Sequence, residues 1–228
     1  MAVSSHLVIS GAGRAGTSFL MALLGRLGLD TGFSADQVTC ALARPARAGL
    51  ERDLRGPHLP RVVKNPNLCD YIDDVLARRD LRIEHLIVPL REPDEAAQSR
   101  ARAQQAGLAA LSWRKRLSAV LKGKAIDGGF WPGAAHLPQA QVVVDRVHRL
   151  LLAVAAHDIP VTLLAYPRLT RDPAYVYTKL SPLLPGVDWA TFQAAFAAVV
   201  RPDWVHTSAA RPAAAPSNAW LSDTAPAR

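Results

Sequence analysis

Thiols are scarce in this chain of 228 residues, with Cys40 and Cys69 as its only two cysteines. They build no disulfide framework and form no CxxC pair for zinc. Two reduced, part-buried thiols in a reducing compartment are expected. Long hydrophobic runs are missing too, and none approaches the roughly 20 residues that span a bilayer. The opening MAVSSHLVIS has no basic segment ahead of its short apolar run and no small-residue cleavage site. A cytoplasmic protein with no membrane span is therefore expected. Internal repeats are absent. Acidic residues are outnumbered, 19 Asp and Glu against 27 Lys and Arg, leaving a formal net charge of +8. That balance favours anionic partners. The basic residues are spread along the chain, however, and no interleaved aromatic and basic pattern points to nucleic acid, so none is expected as a partner. What the chain does have is core material. Its hydrophobic share of 50% excludes wholesale disorder, and its length suits one domain.

Apolar runs alternate with helical stretches. Leu7–Ile9, Arg61–Lys64, His85–Leu90 and Ile159–Ala165 read as short buried strands. Ser18–Leu27, Tyr71–Arg79, Glu92–Ala106, Ala109–Leu121, Gln139–His157, Asp172–Leu184 and Trp189–Val200 read as helices, several with Pro or acidic residues at their starts. Ala43–Gly56 and Gly128–Pro138 read as loops, the first with room for one short helix. Buried-type strands separated by helices predict an α/β fold with a mostly parallel central sheet flanked by helices in three layers. One domain over residues 1–207 and a loose Ala/Pro/Ser-rich tail over 208–228 are expected.

The first strand runs into GAGRAGTS, Gly11–Ser18, which opens the first helix. A helix N-terminus has unpartnered N–H groups and partial positive charge, and glycines let the backbone curl around an anion. The spacing is close to the triphosphate loop GxxxxGK[ST], but Thr17 stands where the lysine would be. The cation is Arg14, inside the loop. The strand Leu86–Leu90 ends in Arg91 rather than in a magnesium-holding Asp. No metal is expected, and the pattern suits a nucleotide whose reactive group is not a triphosphate.

GAGRAGTSFL resembles the 5′-phosphosulfate loop of sulfotransferases that use 3′-phosphoadenosine 5′-phosphosulfate (PAPS). Arg14, Gly16, Thr17, Ser18, Phe19 and Leu20 match, and Ala15 replaces a frequent serine. In that family a strand-end arginine and a serine eight residues on bind the 3′-phosphate. IVPLREPDEAAQSR supplies Arg91 and Ser99 at that spacing. Tyr166, Leu169, Asp172 and Pro173 match a late strand–turn–helix segment. The resemblance implies a P-loop fold, PAPS as sulfuryl donor and 3′,5′-phosphoadenosine (PAP) as product. It places Gly13, Arg14, Ala15, Gly16, Thr17, Ser18, Arg91 and Ser99 around the nucleotide. It makes Arg14 and Lys64, the latter in VVKNP, the groups that stabilise charge on the leaving phosphate. The acceptor would be a hydroxyl or amine on a small molecule, lipid or carbohydrate.

The usual base of many cytosolic members, a histidine two residues after the lysine, is replaced by Pro66. His58, Asp36, Asp70 and Glu92 are the substitutes, and Trp131 is a candidate lining residue of an acceptor pocket. Arg114–Arg116 and Lys122–Lys124 are candidates for a further basic contact to the 3′-phosphate. Two other readings stay open at this point: an ATP-dependent small-molecule kinase, and a non-catalytic nucleotide-binding module.

Overall fold

A computed structural model describes residues 3–43, 49–113, 129–131 and 137–201. Four strands, β1 (Ser4–Ile9), β2 (Val62–Lys64), β3 (Leu81–Leu90) and β4 (Val161–Ala165), form one all-parallel sheet in the order β2-β1-β3-β4. Seven α-helices accompany them among the described residues. They are α1 (Thr17–Arg26), α2 (Ala35–Ala43), α3 (Ile72–Leu76), α4 (Pro93–Ala109), α5 (Gln139–Ala156), α6 (Pro173–Leu180) and α7 (Trp189–Val199). The expected three-layer α/β architecture with a parallel sheet is what the chain adopts.

The strand sequences explain the layering. Leu7, Ile9, Val62, Ile87 and Leu164 pack with residues of α1, α6 and α7 in one core. Val8, Val63, Leu86 and Val88, at alternate positions, pack with residues of α3 and α5 in another. Side chains of a strand alternate between faces, so a strand covered on both sides must be apolar throughout. Helix starts are fixed locally. The Asp172 carboxylate accepts the Tyr175 N–H at 2.9 Å and Asp188 accepts that of Thr191 at 2.8 Å, so each caps its helix.

Element boundaries depart from the sequence reading in physically clear ways. β3 begins at Leu81, because Leu81 and Ile83 are buried while Arg82 is exposed, a period-two pattern. α3 is a single short helix after a 3₁₀ turn at Leu68–Asp70. The Asp172–Leu184 helix gives way to a 3₁₀ turn at Ser181–Leu183, where Pro182 removes a backbone donor. α2 is a helix where no separate one was read. α4 runs on to Ala109, whereas most of the Ala109–Leu121 helix, Arg114–Arg116, Lys122–Lys124 and the 208–228 tail lie outside the described residues. No helix among the described residues is long and apolar enough to cross a membrane.

Chain direction sets the place of a site. From β1 the chain moves outward to β2, then returns past β1 to β3 and on to β4. The connections therefore diverge at the carboxyl ends of β1 and β3. In open parallel sheets that divergence leaves a crevice where ligands bind. The Gly11–Gly16 loop follows β1, and Arg91 follows β3.

A candidate anion site at the carboxyl ends of the strands

The loop is tied down on both sides. Ser10 donates its N–H to the Ile87 carbonyl at 3.1 Å and its hydroxyl to the Asn65 carbonyl at 2.7 Å. Beyond Ser10 the backbone turns repeatedly through left-handed conformations, with φ of 67° at Gly13, 57° at Arg14 and 93° at Gly16. Gly16 is the N-cap of α1 and offers no capping side chain. The first helical bond runs from Leu20 N–H to the Gly16 carbonyl, so the N–H groups of Thr17, Ser18 and Phe19 precede any intrahelical acceptor. A Cβ on Gly16 would sit 2.9 Å from Leu169 Cδ1. Glycine is thus required there both by conformation and by space. Ala15 and Thr17 are buried, so Ala15 offers the site only its backbone.

Cations converge on this loop from three elements. Arg14 Nε donates to Ser99 Oγ at 3.2 Å, across 85 residues of sequence. Arg91 Nη1 donates to the Arg14 carbonyl at 3.0 Å. Its guanidinium is also held by Glu95, 3.2 Å away, and lies over the Tyr166 ring. Lys64, at the end of β2, is only 2% exposed, and its Nζ donates to Ser18 Oγ at 2.9 Å and to Glu51 Oε1 at 2.8 Å. Burial pushes the Lys64 pKa down, the Arg14 charge adds to that, and Glu51 opposes it. The residues singled out in the sequence, Gly13–Ser18, Lys64, Arg91 and Ser99, therefore gather at one end of the sheet. Beside Arg91, a hollow of about 340 Å³ opens at the ends of β3 and β4, lined in part by Leu163, Tyr166 and Tyr175.

Two neighbours of the loop were not anticipated. Glu51 is the carboxylate in contact with Lys64, and its side chain is 32% exposed. Arg100, the residue after Ser99, is 4% exposed and donates to the carbonyls of Ala12 and Gly129. Nothing local in the sequence marks either residue, since both act through contacts with distant segments. Of the other base candidates, Asp70 is paired with Arg146, and Glu92 precedes α4 without capping it. Trp131 is buried, with its indole N–H on Asn67 Oδ1, so it serves packing here rather than an open pocket.

The donor set fits an anion. It has an uncapped helix N-terminus, hydroxyls at Thr17 and Ser18, and the cations Arg14, Lys64 and Arg91. No group of three or more His, Cys, Asp or Glu side chains placed to hold a metal ion occurs among the described residues. No family model matches the chain, and no curated protein matches it.

Proposed function

We propose that the chain transfers a sulfuryl group from PAPS to a hydroxyl or amine of a small-molecule, lipid or carbohydrate acceptor. The observation that carries this reading is the Arg14–Ser99 hydrogen bond with Arg91 on the Arg14 carbonyl. It joins the glycine-rich loop to the Arg91 and Ser99 pair, whose spacing is weak alone, in one cationic cluster at the divergence of the strands.

In this reading the loop N–H groups, Arg14, Thr17 and Ser18 hold the 5′-phosphosulfate, and Arg91 with Ser99 holds the 3′-phosphate. The hollow beside Tyr166 suits the nucleoside. When bound, the donor supplies an electrophilic sulfur and a phosphate leaving group. Lys64 and the N-terminus of α1 stabilise charge on the departing phosphate oxygen, in a site where burial strengthens each interaction. Glu51 accepts the acceptor's proton as the new bond to sulfur forms and the bond from sulfur to the phosphate oxygen breaks. It stands beside Lys64 and is the carboxylate there with a solvent-facing side. This fills the base position that Pro66 leaves empty in the sequence.

Thermal melting with PAP, ATP–Mg²⁺ and a short oligonucleotide tests the reading, since a ligand that binds the native state raises its stability. PAP is expected to give the largest shift. Absence of a shift at millimolar PAP overturns the proposal, and a larger shift with ATP–Mg²⁺ favours a kinase. Arg91→Ala should weaken PAP binding about tenfold or more and adenosine 5′-phosphate binding far less, the smaller loss coming through the Arg14 carbonyl that Arg91 holds. Equal losses for both ligands remove Arg91 from the 3′-phosphate.

A further inference from the structure

Arg100 is an enclosed guanidinium at the site, 4% exposed, and its contacts are unusual for a charged group. One Nη donates to the Gly129 carbonyl at 2.6 Å, the other to the Ala12 carbonyl, and Nε is buried with no partner. Its guanidinium lies 3.2 Å from the centroid of the Trp131 ring. Among the described residues no carboxylate pairs with it. Burial, with the like charges of Arg14 and Arg146 adding to it, pushes its pKa down to about 9. The group is still a cation at neutral pH. A buried charge without a counter-charge destabilises a fold, because carbonyl dipoles and an aromatic face replace only part of its hydration.

The position of this charge gives it a use. The carbonyl of Ala12 and the N–H of Gly13 belong to one planar peptide unit and point in opposite directions. Holding the Ala12 carbonyl toward Arg100 therefore turns the Gly13 N–H to the other side of the loop backbone. The approach is close, since a Cβ on Gly13 would sit 3.0 Å from Arg100 Nη2. Gly13 and Arg14, at the centre of this turn, both have left-handed backbones.

We propose that Arg100 is a positioning residue with a stored charge. It orients the Ala12–Gly13 peptide so that the Gly13 N–H faces the bound anion, and that anion supplies the counter-charge that no described carboxylate does. The inference rests on the reading of Gly11–Ser18 as an anion cradle. It adds that the ligand-free fold carries a penalty which ligand binding removes. The anion is thereby part of the site's electrostatic balance.

The test compares the wild type with Arg100→Met and Arg100→Lys by melting and by titration with PAP and inorganic pyrophosphate. Methionine keeps much of the stem volume and removes the charge. Without ligand, Arg100→Met is expected to melt at or above the wild-type temperature, yet to bind both ligands about tenfold or more weakly. Arg100→Lys keeps the charge but loses the fork, so its affinity should fall between the two. A role in packing alone predicts the opposite pattern, a lower melting temperature with affinity retained, and that result overturns the proposal. So does a folded Arg100→Met chain that binds within about twofold of wild type. Should Arg100→Met not fold, Arg100→Lys decides: wild-type affinity overturns the proposal, and affinity a few-fold weaker supports it. If the wild type itself responds to neither ligand, the anion cradle is what fails, a result distinct from a wild type that responds while Arg100→Met responds equally.

Discussion

The two ends of the sheet treat positive charge in opposite ways. At the amino end, Arg61 meets Glu84 at 2.6 Å and Arg78 meets Asp80 at 2.6 Å, with every side chain partly open to solvent. Each cation has a carboxylate of its own, and the pairs sit where water screens them. At the carboxyl end, Lys64, Arg91 and Arg100 are almost wholly enclosed. There Lys64 shares Glu51 with solvent, Arg91 holds Glu95, and Arg100 contacts carbonyls and an indole. One end spends its charge on solubility and local order. The other end buries its cations, Lys64 and Arg91 each with a carboxylate and Arg100 with none among the described residues, next to a helix N-terminus of the same sign. Such an arrangement is expected where an anion completes the structure.

Lys64 offers the largest test of that contrast. Lys64→Met keeps the stem and removes the ammonium, and transfer should fall about 10²–10³-fold, the usual loss when one donor to a developing oxyanion is removed. Stability should behave differently. The folded-state pKa of Lys64 is depressed, mainly by burial. An unfolded chain then binds more protons between the folded and the unfolded lysine pKa, so stability rises with pH across that window. Below the folded pKa the penalty is present in full. Lys64→Met should therefore melt no lower than wild type at neutral pH, and any advantage it holds should shrink as pH climbs through the window. Melting curves over pH, beside a sulfuryl-transfer assay at fixed pH, measure both. A neutral-pH melting temperature well below wild type, with transfer intact, would make Lys64 a structural cation like those at the amino end.

How much of this was legible in the sequence depended on whether the signal was local. Leu7–Ile9 and the Leu86–Leu90 run were readable because strands covered on both faces are continuously apolar. The Gly11–Ser18 turn was readable because its backbone angles favour glycine at fixed places in GAGRAGTS. The first residues of β3 were passed over, although Leu81 and Ile83 flank an exposed Arg82. α2 is hard to read because it is short and lies mostly on the surface, with Ala41 its one buried residue. Glu51 and Arg100 could not be found from spacing. Glu51 matters through Lys64 on β2, and Arg100 through Ala12, 88 residues away. Pairings of that kind exist only once the sheet has assembled.

Gly16→Ala probes the backbone share of the carboxyl end, and its effect should be intermediate. The φ of 93° disfavours any Cβ, and the added methyl would meet Leu169 Cδ1 at 2.9 Å. Strain and crowding together should lower stability by about 2 kcal/mol. Relaxation of the loop should also move the N–H groups of α1, so PAP affinity should fall along with the melting temperature. Denaturant titration and PAP titration on one preparation separate the two effects. Lost stability with unchanged PAP binding would mean that the loop backbone plays no part in holding the ligand.

The smallest effect is expected at the opposite end. Arg61 makes a two-pronged contact with Glu84, at 2.6 and 2.8 Å, and also donates to the Ser5 carbonyl at 2.9 Å. That pairing raises the Arg61 pKa and lowers that of Glu84, so both are ionised throughout the neutral range. Since the side chains are 36% and 43% exposed, most of the attraction is screened. Arg61→Ala should therefore cost no more than about 1 kcal/mol, and high salt should erase most of the difference from wild type. Donor affinity and transfer rate should not move. A change in PAP binding on Arg61→Ala would couple the two ends of the sheet through β2, since Arg61 directly precedes the strand that ends in Lys64. In that event the division of labour between solvent-screened and buried charge would give way to a single electrostatic network spanning the sheet.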